Sequence, residues 1–402
     1  MQKKVMAMAV AGALAVPAAA IAAGSSVQIQ GKLTYEYGYS SQGDNRPSAD
    51  IGDNPGGSMI RFKGTENLGG GMSAWFQCET STDIRALDTN DFCSRNSGIG
   101  LKGSFGNLHF GKWDTPMKKA LNAGTVGAEG TGLLGMSFIA FGGSGGAQAQ
   151  NVYGAGLPQS FNRQRWKRRE SNLISYESPK FSGFQIQGAF STGNTATRVT
   201  NNQPNAKPRV LSIAALYDNG PLELSLAYEK HAEFGAGQTG ATQDLDDRAW
   251  ALGAAYTFGK VQVGAFYLDA EYETGTIGAV TDTKSKKRTY GIGASWRLPG
   301  PHMLEAQYVK AADTRGNGGS ISGNGGVTGC ATTATMTCDG TGGDAWTLGY
   351  TYKFSKRTSV KFGYVKYSND SNTRAYRVGN IGSVGSNGEN TDAYAMLWKH
   401  YF

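Results

Sequence analysis

The sequence predicts an all-β protein, a 16-stranded antiparallel transmembrane β-barrel with a long third outer loop folded into the lumen. Three observations predict it. Sixteen segments alternate polar and apolar residues with a period of two. The connections between them are strictly short, then long, around the chain. One connection, Trp113–Arg169, cannot be read as strand and is far longer than the roughly fifteen residues at which a structureless loop becomes unusual.

The chain opens on a charged stretch, Lys3 and Lys4, followed by an apolar run, Val5–Val16, and the small-residue site Ala20-Ile21-Ala22. Residues 1–23 therefore read as a secretory signal, and residues 24–402 as the barrel. No later stretch has 18 apolar residues in a row, so a membrane crossing must use strands. A mean hydropathy of −0.39 fits a barrel whose polar and apolar residues alternate. Glycine (59) and tyrosine (19) are abundant. The formal charge of +8 becomes +6 without Lys3 and Lys4. Its basic residues are spread over many strands, with no motif for nucleic acid, so no nucleic-acid partner is expected.

The first strand sets the pattern. In Val27–Ser40, Val27, Ile29, Leu33, Tyr35 and Tyr37 alternate with Gln28, Gln30, Lys32, Thr34 and Glu36, giving one greasy and one wet face. The same alternation recurs at Met59–Asn67, Met72–Ser81, Ser94–Gly103 and Leu108–Lys112. It resumes at Glu170–Ser178, Phe184–Thr192, Pro208–Tyr217, Leu222–Glu233, Asp247–Phe258 and Val261–Glu273. It continues through Lys287–Leu298, His302–Ala311, Asp344–Phe354, Thr358–Tyr367 and Asp392–Phe402.

Seven connections are tight turns rich in Gly, Pro, Asn and Asp: 68–71, 104–107, 179–183, 218–221, 259–260, 299–301 and 355–357. Eight are long: 41–58, 82–92, 113–169, 193–207, 234–246, 274–286, 312–343 and 368–391. The tight turns all fall on one rim, the long loops on the other, and both termini on the short-turn rim. Closure follows because lipid cannot hydrogen-bond an open sheet edge. Sixteen strands enclose a hole too wide for their own side chains to fill. Tyr256, Phe258, Trp296, Tyr350, Tyr352 and Phe354, near strand ends, are expected to form an interfacial girdle.

Parity assigns the charges. Ile60 and Phe62 face lipid, so Arg61 and Lys63 face the channel, as does Lys32 on the first strand. The long segment carries few acids, Asp114 and Glu129, and returns through Arg163, Arg165, Lys167, Arg168 and Arg169. Positive charge in such a passage favours anions. The four cysteines, Cys78, Cys93, Cys330 and Cys338, are even in number in an exported chain. Nearest-neighbour pairs would close loops across 79–92 and 331–337, and free thiols are the alternative. No Cys-His spacing suggests a metal site, and no cofactor is expected. His109, His231, His302 and His400 sit in no nucleophile motif, so no enzyme is expected.

Several pieces, in order, resemble the general porins of Gram-negative outer membranes, of the Neisseria and Burkholderia type. They are Phe62–Gly71, Gly100–Gly106, Phe110–Lys112 before Trp113–Pro116, Ile174–Pro179 with Phe181–Phe184, and Trp398–Phe402. The resemblance spans nearly the whole chain. It implies a homotrimer of diffusion channels in the outer membrane, in contact with membrane lipid and lipopolysaccharide, passing small hydrophilic solutes and ions. It also implies that Phe402 is an assembly signal and that Arg95 and Arg169 are basic wall positions. Strict parity puts Arg95 on the face of Ile99 and Leu101, so a bulge is needed for it to line the pore. The alternatives are a substrate-specific channel, with Trp113 and Trp166 as aromatic candidates, and a structural or adhesive barrel with a restricted lumen.

Overall fold

Sixteen strands close on one another in the computed structural model, which describes residues 26–42, 50–53, 57–84, 92–127, 129, 132–140, 166–192, 209–233, 246–277, 280–316, 337–373, 376, 378, 386 and 388–402. The export signal expected in residues 1–23 lies outside the described residues. The staves are β1 (Ser26–Gln42), β2 (Met59–Gly69), β3 (Met72–Ser81), β4 (Ser97–Gly103), β5 (Gly106–Asp114) and β6 (Arg169–Glu177). They continue as β7 (Phe184–Ser191), β8 (Arg209–Asn219), β9 (Leu222–Ala232), β10 (Asp247–Phe258) and β11 (Val261–Ile277). The last are β12 (Val280–Arg297), β13 (His302–Ala311), β14 (Gly343–Lys353), β15 (Thr358–Asn369) and β16 (Thr391–Tyr401).

Every neighbouring pair is antiparallel, and β1 pairs with both β2 and β16, which removes the two edges. The seam is completed by Phe402: its N–H donates to Gly31 O at 3.1 Å, and the Gly31 N–H donates to Phe402 O at 3.0 Å. Three short strands, Asp50–Asp53, Thr314–Gly316 and Thr337–Cys338, add to the sheet within the long connections.

Alternation turns one face of each strand outward. On β8, Val210, Ser212 and Ala214 are buried while Leu211 and Ile213 are exposed. The exposed apolar side chains form two aromatic belts. Tyr256, Phe258, Trp296, Phe354 and Trp398 lie toward the short turns, and Trp250, Tyr290, Tyr308 and Tyr394 toward the long loops. Trp250 and Tyr256 lie on one face of β10 six residues apart, about 20 Å of strand and near the height of a hydrocarbon core. The tight turns need left-handed backbone in places, as at Gly259, with φ 59°.

The boundaries differ from expectation at two instructive places. Segment 274–286, expected to be a loop, continues as paired strand to Ile277 and Val280. Its residues are mostly Thr, Gly, Lys and Ser, so no hydrophobic alternation marks it, and cross-strand ion pairs such as Glu271–Lys286 (2.9 Å) accompany the pairing. The fourth stave begins at Ser97 rather than Ser94. Cys93 takes a positive φ of 59° and residues 93–96 are irregular, so parity does not govern Arg95 and no bulge within the strand is needed.

Between β5 and β6 the chain forms α1 (Pro116–Ala123) and a short helix, α2 (Ser137–Ala140). Thr115 caps α1, its hydroxyl accepting from the Lys118 N–H at 3.4 Å, and Pro116 stands in its first turn, where its missing N–H costs nothing. Met117, Leu121, Leu133, Leu134, Met136 and Ile139 of this segment are buried against small inward-facing side chains including Ala214, Ala227, Ala251, Ala345 and Ala393. Burial contributes about 2 kcal/mol for each such side chain. Close approach is sharpest at Gly293, where an added Cβ would collide with the Val126 carbonyl oxygen.

Candidate functional site

Three clusters of paired charges on the inward face hold most of the expected wall residues. In the first, Glu79 of β3 is buried between two arginines. Arg61 reaches its Oε2 from β2, with Nη2 at 2.5 Å and Nε at 2.9 Å. Arg95 reaches its Oε1, with Nε at 2.6 Å. The Arg95 N–H also donates to the Glu79 carbonyl at 2.8 Å, which holds the irregular segment against β3. The disulfide Cys78–Cys93 ties the same two stretches together.

The second cluster joins the 114–168 segment to the far wall. Glu129 accepts from Lys399 Nζ at 2.7 Å through both carboxylate oxygens, and from Lys361 Nζ at 3.2 Å. Lys361 also pairs with Glu305 at 3.0 Å. Lys32 lies in the field of this cluster and of the first, with Lys399, Glu129, Arg95 and Glu79 as its charged neighbours. Burial raises the Glu129 carboxyl, but the ammonium groups of Lys361 and Lys399 outweigh it and hold the group at about 2. Nearby, the N–H groups of Leu133 and Leu134 donate to the buried Glu36 at 2.6 and 3.2 Å.

The third cluster stands at the two ends of the segment. Asp114 pairs with Lys118 at 2.7 Å and with Arg169 at 3.0 Å. Asn96 donates to Asp114 at 3.1 Å and accepts from Arg169 Nε at 2.5 Å. Burial and the neighbouring Lys118 ammonium push Lys167 down to about 8, against the pull of Asp114.

Among the expected wall residues, Lys32, Arg61, Arg95, Asp114, Glu129 and Arg169 thus fall into these clusters. Lys63 shares the face of Arg61, opposite Gln28 and Gln77. Arg168 departs from expectation: it is buried and ion-paired to Glu170, so it is not an uncompensated charge on the passage. Arg163 and Arg165 lie outside the described residues. So does Cys330, which leaves its expected pairing with Cys338 without a description. Trp166 is also corrected. It is fully buried, stacked on His231 with ring centroids 4.2 Å apart, and cannot present a face to a solute. Trp113 instead stands with Trp75 and His109, at centroid distances of 5.5 and 5.0 Å.

Sequence reasoning passed over Glu79, Glu305, Lys361 and Lys399. Parity alone could have placed them. Glu79 shares the face of Gln77 rather than Phe76, and Lys399 lies opposite in parity to Tyr394, Met396 and Trp398.

The family model for Gram-negative porins matches residues 7–373. The chain belongs to the Gram-negative porin family. This porin is 26% identical to outer membrane porin protein 32 of Delftia acidovorans over 312 residues, which cover 75% of this chain and 72% of the relative. It is 27% identical to an outer membrane porin protein of Bordetella pertussis, over 78% of this chain and 77% of that one. Against the major outer membrane protein P.IB of Neisseria lactamica it is 27% identical over 61% of this chain and 78% of the relative. Among solved structures it superposes on the anion-selective porin from Comamonas acidovorans with a TM-score of 0.70. That match is 22% identical and covers 94% of this porin and all of the other chain. The porin is therefore an outer-membrane diffusion channel.

Proposed function

We propose that this porin is an anion-preferring channel assembled as a homotrimer, and that residues 113–169 narrow the passage. The observation that carries the reading is the balance within the three inward clusters that hold the expected wall residues. Arg61 and Arg95 face one carboxylate, Glu79. Lys32, Lys361 and Lys399 share Glu129 and Glu305. Lys118 and Arg169 share Asp114. In each of these three clusters cations outnumber carboxylates, so this part of the wall attracts anions over the Debye length of about 8 Å at physiological salt. The segment supports a narrowed passage because its apolar residues cover inward-facing alanines and its Glu129 is ion-paired across to β15 and β16. Trimerisation is supported by family membership, and the superposable Vibrio cholerae OmpT was solved in a trimer form.

The test is electrical. Purified porin in planar bilayers under a salt gradient should give a reversal potential on the anion side. Liposomes containing it should swell in small sugars at rates that fall steeply with solute size. Potassium preferred over chloride would overturn the selectivity reading, and equal impermeability to all solutes would point to a structural barrel.

A further inference from the structure

Toward the short turns from the first charge cluster, the inward wall becomes aromatic. Along β2 and β3, Arg61 is opposite Glu79, Lys63 opposite Gln77 and Thr65 opposite Trp75. Trp75 is therefore four residues from Glu79, about 13 Å of strand. Its indole lies over Gly100 of β4, where an added Cβ would meet the ring at 2.7 Å. The Trp75 Nε1–H donates to Asn107 Oδ1 at 2.8 Å, and Asn107 Nδ2 donates to Glu177 Oε2 at 3.3 Å, which fixes the ring. Trp75 and Trp113 meet edge to face with centroids 5.5 Å apart, and both are half-buried. His109 is fully buried beside the two indoles. Neither of its ring nitrogens has a hydrogen-bond partner among the described residues, so it serves here as a third aromatic ring.

The neighbouring charges decide what such a platform can hold. Lys63 of β2 and Lys102 of β4 flank Trp75 diagonally, a spacing that long side chains span. Neither lysine has an ion-pair partner among the described residues. Glu177, the carboxylate nearest in register, is already taken by Lys119 and Asn107. Indole faces attract organic cations as well as planar rings. The two unpaired ammonium groups repel a cation and favour a carboxylate.

We propose that Trp75 and Trp113, with Lys63 and Lys102, form a binding subsite in the passage for a monocyclic aromatic carboxylate. The solute's ring lies against the indoles, and its carboxylate pairs with either lysine. The subsite rests on the reading of this face as the channel wall, and not on the channel's preference among inorganic ions. Benzoate and cyclohexanecarboxylate, equal in charge and similar in size, would be titrated at neutral pH against the ionic current of the porin in planar bilayers. Benzoate should halve the current at about fivefold lower concentration. W75L should bring the two acids together. K63Q/K102Q should raise both half-blocking concentrations about fivefold and keep the preference for benzoate. The comparison of the two acids on the wild-type channel holds whether or not a variant folds. The chloride/potassium reversal potential, read in the same membranes, tests the selectivity proposal separately. A channel that prefers potassium but still favours benzoate would support the subsite. Equal block by the two acids in the wild-type channel, or an undiminished preference in folded W75L, would overturn it.

Discussion

Lys399 Nζ lies 2.7 Å from each carboxylate oxygen of Glu129, although the two residues are 270 positions apart in the chain. Lys399 belongs to the last stave, Glu129 to the connection between the fifth and sixth. Lys361 closes the arrangement at 3.2 Å. Opposite charges held this way, shielded from bulk water, attract more strongly than a surface pair. The pair therefore pins the long segment to the wall.

The pin should respond to acid. Glu129 is depressed from 4.5 to about 2, so its contribution is complete above pH 4.5 and is lost as pH falls toward 2. Single-channel current should be steady at neutral pH and grow noisier, with larger steps, below pH 4.5. Glu129→Gln should show that behaviour already at pH 7, in planar-bilayer traces. A variant with wild-type traces across the whole range would remove the pin from the account.

Selectivity should move in opposite directions when the two sides of the first cluster are changed. Glu79→Gln removes the one carboxylate shared by Arg61 and Arg95. It should raise the anion/cation permeability ratio about sevenfold, because one kT of potential raises anions about threefold and lowers cations by the same factor. Arg61→Ala with Arg95→Ala should lower it, most clearly at low salt. Reversal potentials measured in one salt gradient report both, and a Glu79→Gln channel with a lowered ratio would contradict the reading.

The Cys78–Cys93 disulfide closes a loop with a sequence separation of 15, which in the chain-entropy account is worth about 3 kcal/mol. It joins β3 to the irregular stretch that carries Arg95. Cys78→Ser/Cys93→Ser should leave the barrel heat-modifiable on gels while residues 82–92 become open to protease. Its permeability ratio should shift toward that of Arg95→Ala. Loss of the folded barrel itself would show the bridge to be structural for the whole wall.

Deleting Phe402 removes the two backbone hydrogen bonds to Gly31 and the ring that covers it. Two net hydrogen bonds are worth about 2 kcal/mol, and the seam between β1 and β16 is left frayed. Folded porin in the outer membrane should fall, measured as the heat-modifiable fraction in envelope preparations. Unchanged levels would exclude a role in closing the barrel.

The staves were legible because lipid and water impose a residue-by-residue alternation that no other environment imposes. Met72–Ser81, Asp247–Phe258 and His302–Ala311 have the bounds that their patterns predict. Alternation also assigned Lys32, Arg61 and Lys63 to the inward face, since a charge on the lipid side is expensive. It was silent where both faces are wet, and so missed the hairpin extension at 274–286. It also misplaced Arg95, because a positive φ at Cys93 takes that stretch out of register. Pairing between charges is a property of space. Glu79 meets Arg61 and Arg95 through neighbouring staves and an irregular turn, Glu129 meets Lys361 and Lys399 only when the barrel has closed, and Arg168 is neutralised by Glu170 two residues on. Sequence alone determined the alternation, and with it the barrel and the sign of its total charge. Which of those charges stay unbalanced on the wall was decided by the tertiary structure, because Coulomb energy depends on distances that a linear chain does not contain.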